Sequence, residues 1–110
     1  MLTVNVQSLD DLTILRCKGR IVRGEETALS CAAVQQQKRE LILDLAEVDA
    51  IDAAGIGLLV SLQAAGIYLT LMNPTKQVRE MLRVTQVDSL FEVREFRAVE
   101  GLVDGVLAEA

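Results

Sequence analysis

The sequence contains no histidine and no tryptophan, one proline, two cysteines and only three aromatic residues. Without histidine, the Ser/His and Cys/His pairs of common nucleophilic catalysis lack their base. The cysteines, Cys17 and Cys31, are too few for a disulfide scaffold, and their separation argues against a metal-binding pair. Both lie among apolar residues, so we expect two small buried side chains in a reducing compartment.

Basic residues are also scarce, since 11 Lys and Arg stand against 16 Asp and Glu and give a net charge of −5. This balance disfavours the phosphate backbone of nucleic acids, and no basic run or aromatic cluster offsets it. We therefore expect no nucleic-acid partner. The first eleven residues lack the basic segment and apolar run of a secretory signal, so we expect a cytoplasmic protein.

The longest stretch without a charged side chain runs from residue 53 to residue 75. Its first twenty residues have the length and composition of a membrane span: AAGIGLLVSLQAAGIYLTLM. Gly66 interrupts this run; helical composition precedes it, and β-branched and aromatic residues follow it. A helix and then a short buried strand explain these residues better, so we expect no direct membrane insertion.

Hydrophobic periodicity predicts the order β-β-α-β-α-β-α-β-α, and 110 residues suit one domain with one core. The first two strands are close enough for a hairpin, and the later strand–helix–strand units are typical of parallel crossovers. Asn73 and Pro74 fit the N-cap and first position of the third helix. The expected fold is one α/β domain with helices against a mixed sheet. The predicted helices cover about 25–37, 53–65, 74–85 and 99–106; the strands that follow the hairpin cover 41–43, 67–71 and 87–93.

The most informative segment is residues 45–58, AEVDAIDAAGIGLL. We interpret residues 45–52 as a loop that ends at the N-cap of the second helix, where the Asp52 carboxylate accepts from the amide of Ala54 or Gly55. Ala53 and Ala54 leave the first turn nearly bare, so the backbone of another protein has room to approach. The same small residues also suit tight packing of this helix on the sheet, and the sequence leaves both interpretations open.

Two ligand-binding interpretations of this segment are weak. The carboxylates of residues 44, 47, 49 and 52 are donors for a hard cation, but their spacing matches no metal-binding loop. Gly55 and Gly57 open a helix after a strand, yet the lysine of a Walker motif and the full dinucleotide fingerprint are missing. We therefore expect no metal, no cofactor and no enzymatic activity.

Two longer segments resemble the STAS domain of anti-sigma-factor antagonists, LILDLAEVDAIDAAGIGLLVSLQ (41–63) and IYLTLMNPTKQVREMLRVTQVDSLFEV (67–93). The family pattern is a strand ending in Asp, a loop, Asp-Ser-Ser-Gly-Leu-Gly opening a helix, then a strand, an Asn-Pro-like turn and another helix. Gly55 and Gly57 match the glycines of that helix start, and LRCKGRI (15–21) is similar to the family's second strand. The resemblance implies a mixed sheet of four to five strands with helices largely on one face.

One departure from the family pattern stands out. By position, Asp44 corresponds to the aspartate at the strand end, and Asp52 to the aspartate before the phosphorylation site. The serine or threonine that a partner kinase phosphorylates in the family corresponds to Ala53, and the next serine to Ala54. Because alanine has no oxygen to accept a phosphoryl group, the resemblance implies an antagonist-like protein without this phosphorylation switch.

Two classes of partner are compatible with the loss of this phosphorylation site. In the first, the protein is a non-catalytic partner-switching module of transcription regulation that binds an anti-sigma factor, a regulatory serine kinase or a phosphatase. In the second, it is a fixed STAS-like subunit of a transporter ATPase complex for lipid transport. In both cases the partner-binding surface is expected to include the 45–52 loop, the start of the second helix and the segment Arg20–Arg23. The candidate contact residues are Asp44, Asp49, Asp52, Ala53, Ala54, Gly55 and, as an apolar anchor if it is exposed, Ile56.

Overall fold

The computed structural model describes residues 1–9 and 11–95, which contain a five-stranded mixed sheet and three α-helices. A short 3-10 helix at Asp88–Leu90 precedes the last strand. The predicted order is confirmed as far as the fifth strand, and the helix expected around residues 99–106 lies outside the described residues. The elements are β1 (Thr3–Leu9), β2 (Leu12–Ile21), α1 (Glu26–Gln35), β3 (Glu40–Ile51), α2 (Ala53–Ala64), β4 (Tyr68–Met72), α3 (Lys76–Val84) and β5 (Glu92–Arg94).

The strands lie in the sheet in chain order, from β1 to β5. β1 and β2 form the predicted antiparallel hairpin, whereas β2, β3, β4 and β5 are parallel to their neighbours. Each parallel connection carries one helix. Because such crossovers are right-handed, three that advance in the same direction place their helices on the same face of the sheet. The α/β fold with a mixed sheet is therefore as predicted.

The face of the sheet under the helices forms the core, and the other face is polar. On that other face Arg16 Nε donates to Asp44 Oδ2 at 3.2 Å, and the Tyr68 hydroxyl donates to Glu92 Oε1 at 2.7 Å. Alternation along each strand sends one set of side chains to each face. The side chains that β2, β3 and β4 bury in the core are Leu15, Cys17, Ile21, Leu41, Leu43, Leu45, Val48, Ile51, Leu69 and Leu71.

The prediction of a loop over residues 45–52 is wrong, because β3 continues to Ile51 and Asp52 alone links it to α2. This second half of β3 pairs with β2 through two register shifts, each of which inserts an extra residue in β3. Buried positions therefore change from every second residue to every third, at Leu45, Val48 and Ile51. The bulges break the strand periodicity, and the exposed acids Glu47 and Asp49 add the composition of a loop.

The third helix begins two residues later than predicted. Asn73 takes a positive φ of 53° in a turn, and Thr75 is the N-cap in place of Asn73. The Thr75 hydroxyl accepts from the Val78 amide at 3.4 Å and donates to the Val48 carbonyl at 2.7 Å. The second of these bonds attaches α3 to the second half of β3, which explains why threonine rather than asparagine caps the helix.

The two cysteines differ in environment. Cys17 is buried as predicted, and this burial, with a smaller contribution from the Asp44 carboxylate, raises the pKa of its thiol to about 12. Such a thiol is protonated and unreactive at neutral pH. Cys31 is exposed, so the prediction of a second buried thiol is wrong. α1 buries Leu29 and Ala33, and a residue two positions after Leu29 lies on the opposite side of the helix.

Candidate partner-binding site

Asp52 connects the end of β3 to the start of α2 and holds three segments together. Its Oδ1 accepts from the Gly55 amide at 3.0 Å, which caps α2, so the predicted N-cap is confirmed. Its Oδ2 accepts from the Arg23 amide at 3.0 Å, in the turn between β2 and α1. The Asp52 amide itself donates to the Ile21 carbonyl at 3.4 Å. One side chain thus fixes the helix start against two other parts of the chain.

Both oxygens of the Asp52 carboxylate receive backbone amides, and this arrangement favours its charged form. The hydrogen bonds from Arg23 and then Gly55 lower the pKa of the Asp52 carboxyl below its usual range. The carboxylate is therefore charged at neutral pH, where it also complements the positive end of the α2 dipole.

Asp52→Asn should lower stability in a pH-dependent way, because asparagine retains one oxygen for the cap but turns an amide group toward the other donor. The folded-state pKa lies below that of the unfolded chain, so the carboxylate contributes stability above about pH 4 and loses it as the pH falls through the folded-state pKa. We expect wild type to melt at a higher temperature than Asp52→Asn at neutral pH, with the difference shrinking as the pH falls below about 4 and through the folded-state pKa. Thermal unfolding followed by circular dichroism measures this difference.

The matched control is Asp49→Asn, which removes an exposed carboxylate that belongs to no part of this hydrogen-bond network. Its melting temperature should follow that of wild type at every pH. A difference between wild type and Asp52→Asn that stays constant from neutral pH into the acid range would contradict the role assigned to the Asp52 charge.

Gly55 lets the start of α2 approach the end of β2. A Cβ atom at this residue would lie 2.2 Å from the Ile21 carbonyl oxygen and 2.7 Å from Ile51 Cγ1. Gly55 is buried, and Ile56 is only 6% exposed and belongs to the core. Ile56 therefore fails the condition of exposure on which its role as an apolar anchor depended. Both residues are packed in the core under the start of α2, so they support the site and do not face a partner.

The exposed part of the site is the α2 tip, which we define as residues 52–54. Ala53 is exposed, whereas Asp52 and Ala54 are half-buried. Asp49 is exposed in β3, three residues before Asp52. Arg23 is exposed in the turn whose backbone amide binds Asp52. The tip therefore presents small methyl groups beside a charged carboxylate, a surface that another protein can approach closely.

Asp44 does not belong to this cluster, although the sequence grouped it with the others. Seven residues of extended strand lie between Asp44 and Asp52, which corresponds to a separation of roughly 20–25 Å. The Asp44 carboxylate accepts from Arg16 Nε at 3.2 Å and from the Ala46 amide at 3.1 Å. The structure thus gives Asp44 a local role in the strand, far from the α2 tip.

Two other segments contribute to this region in ways that the sequence did not predict. The segment Arg20–Arg23 was expected at the surface because it follows the second strand, but a hydrogen bond from the Arg23 amide to Asp52 was not predicted. Arg20 itself is exposed and pairs with Glu25 at 3.7 Å. The other missed segment is α3, whose Met81 lies beside the end of β3. Both links join residues far apart in the chain, and a single sequence carries no signal for them.

The described part of the chain contains neither a cluster of metal-binding side chains nor a helix that could span a membrane. Within residues 1–9 and 11–95, no three His, Cys, Asp or Glu side chains come together to hold a metal ion. No helix among the same residues is long and apolar enough to cross a membrane. The uncharged run forms a helix of 12 residues, α2, and then the strand β4, as predicted.

The model of one family, described as the STAS domain, matches residues 3–100. This chain belongs to the STAS domain family. The match includes the whole of the segments 41–63 and 67–93 on which the resemblance was based. No curated protein matches the sequence of this STAS domain.

Solved structures support the same fold. An anti-sigma-factor antagonist from Mycobacterium paratuberculosis is 19% identical, with a TM-score of 0.75 over 86% of each chain. An anti-sigma-factor antagonist domain protein from Planctomyces limnophilus is also 19% identical, with a TM-score of 0.72 over 86% of this chain and 91% of the other. SpoIIAA from Bacillus in its phosphorylated form is 16% identical, with a TM-score of 0.60 over 90% and 96%. At these identities the likeness shows the fold.

The coarse function follows from the family. STAS antagonists act by binding protein partners, and as a class they are binding modules rather than enzymes. At this level the STAS domain described here is a protein-interaction module.

Proposed function

We propose that this STAS domain binds a regulatory protein partner through the α2 tip and that phosphorylation at residue 53 does not control the binding. The partner is an anti-sigma factor with serine kinase activity, or a phosphatase, of the kind that antagonists of this family bind. The observation that carries the proposal is Ala53, which is exposed at the first position of α2, where the family pattern has serine or threonine.

The chemistry of the tip supports a contact by shape. The Ala53 methyl group and the capped helix end leave room for a partner backbone, while Gly55 and Ile56 hold the tip in place from the core. A phosphate on residue 53 would add about −1.5 to −2 charges beside the Asp52 carboxylate. With alanine this repulsion never arises, so the surface stays free of the phosphate charge and competent to bind.

A second proposal rests on the same alanine. A surface that kinases cannot switch off also suits a permanent subunit, and the corresponding partner is the ATPase of a transporter complex for lipid transport. The two proposals share the α2 tip as the contact and differ in the partner that it meets.

The test replaces Ala53 by arginine and uses Ala64→Arg, an exposed residue at the other end of α2, as the matched control. Tagged proteins are used to capture partners from cells of the source organism, and affinity is then measured with the purified partner. We expect Ala53→Arg to weaken binding at least 100-fold and Ala64→Arg to bind like wild type. Both should unfold within a few degrees of wild type, because an exposed arginine at a helix N-terminus costs about 0.5 kcal/mol.

The outcomes separate the proposals. A kinase-like or phosphatase partner supports the first proposal, and a transporter ATPase or permease supports the second. Equal binding by wild type and Ala53→Arg would exclude the α2 tip as the contact in either case.

A further inference from the structure

A groove between the end of β3 and the outer side of α3 opens next to the α2 tip. It has a volume of about 400 Å³; Ala50 and Ile51 form part of one wall, and Met81 and Val84 form part of the other. Val84 is 60% exposed, although it is a large apolar residue. Ile51 directly precedes Asp52, so the groove wall and the tip follow one another in the chain.

The groove exists because β3 is longer than β4. β4 pairs only with Glu40–Asp44, so in the described chain the second half of β3 has no strand on that side. α3 covers this side instead, attached by the bond from the Thr75 hydroxyl to the Val48 carbonyl at 2.7 Å. The covering is incomplete at residues 49–51, where apolar atoms of both walls remain open to solvent.

The rim of the groove is acidic. Asp49 is exposed on the β3 wall, and within residues 1–9 and 11–95 no lysine or arginine forms an ion pair with it. On the α3 wall, Glu80 accepts from Arg83 through both oxygens, from Nε to Oε1 at 3.4 Å and from Nη2 to Oε2 at 2.5 Å, and both side chains are more than half exposed. An exposed pair of this kind contributes little to stability, so Glu80 is free to exchange Arg83 for a cation from a partner.

We infer that the groove receives a segment of the protein partner that carries one large apolar side chain next to a lysine or arginine. The apolar side chain covers Met81 and Val84, and the basic group reaches Asp49 and Glu80 while its methylene stem lies along the apolar walls. The acidic rim opposes a polyanion such as a nucleic acid. The inference rests on the proposed function, because the same partner would contact the α2 tip and the groove together.

The test places the photo-crosslinking residue p-benzoylphenylalanine at Arg23, at Val84 or at Val34 of the full chain in cells of the source organism. Arg23 reports on the α2 tip without adding bulk to residue 53, because it is exposed in the turn whose amide binds Asp52. Val34 is the matched control, since it is 59% exposed on α1. We expect Arg23 and Val84 to crosslink the same protein and Val34 to crosslink none of it. The peptide captured at Val84 should contain a lysine or arginine next to a large apolar residue.

A synthetic copy of that peptide is then titrated into wild type and Asp49→Lys, with folding of both checked by circular dichroism. Reversal of the Asp49 charge should weaken the affinity at least tenfold, and added salt should weaken binding to wild type. Crosslinking from Arg23 without Val84, an acidic peptide at Val84, or equal affinity for Asp49→Lys would overturn the inference and leave the proposed function standing. Failure of Arg23 to crosslink the protein would overturn the proposed function and, with it, this inference.

Discussion

Replacing Gly55 by alanine should destabilise the protein by about 3 kcal/mol and lower its melting temperature by roughly 10–20 °C. The added methyl group would meet the Ile21 carbonyl oxygen at 2.2 Å and Ile51 Cγ1 at 2.7 Å. The carbonyl belongs to the backbone of β2, so it cannot turn aside as a flexible side chain would. Relief requires α2 to move away from the sheet, which also displaces the capping bond from Gly55 to Asp52.

The same substitution at Gly57 should have the opposite effect. Gly57 is exposed within α2, and a Cβ atom there meets no described atom within 4 Å. Since alanine is the better helix former, Gly57→Ala should stabilise the protein by about 0.5–1 kcal/mol. Urea and thermal unfolding of both variants measure the contrast. Similar effects of the two substitutions would show that propensity, rather than the close approach at Gly55, decides the stability of this helix.

Replacing Ala53 by serine should create a phosphorylation switch at the start of α2, where alanine supplies no phosphate acceptor. The new hydroxyl would lie at an exposed first position of α2, beside Asp52, where the family pattern has its phosphorylated residue. After treatment with the partner kinase and ATP, we expect Ala53→Ser to lose about 30- to 5000-fold in affinity, because an unpaired charge buried at an interface costs about 2–5 kcal/mol. Calorimetry with the purified partner measures the loss, and mass spectrometry locates the phosphate.

Three controls make this experiment specific. Unphosphorylated Ala53→Ser should bind within about twofold of wild type, because serine adds one small polar atom at an exposed position. Ala53→Asp should bind weakly without any kinase, yet remain folded, because a carboxylate suits a helix N-terminus. Wild type should keep its affinity after the same treatment. Kinase-dependent release of wild type, with phosphate on the exposed Ser61, would contradict the absence of a switch.

The sequence predicted the parts of the site that depend on neighbours in the chain. Asp52 was identified as the N-cap of α2 because the bond to the Gly55 amide joins residues three apart. The missing hydroxyl at residue 53 is a property of the side chain itself. Asp44, in contrast, was included because it corresponds to the aspartate at the strand end of the family pattern, and the extended course of β3 separates it from Asp52.

Element order, the capped start of α2 and the lack of a phosphate acceptor at Ala53 were determined by the sequence alone, because periodicity, capping and side-chain chemistry act within a few residues. The length of β3, the burial of Ile56 and the groove beside α3 were decided by tertiary structure. They depend on contacts such as Arg23 to Asp52 and Thr75 to Val48, which join residues 29 and 27 positions apart. Such contacts form only when the strands and helices pack, so the local pattern of the sequence does not indicate them.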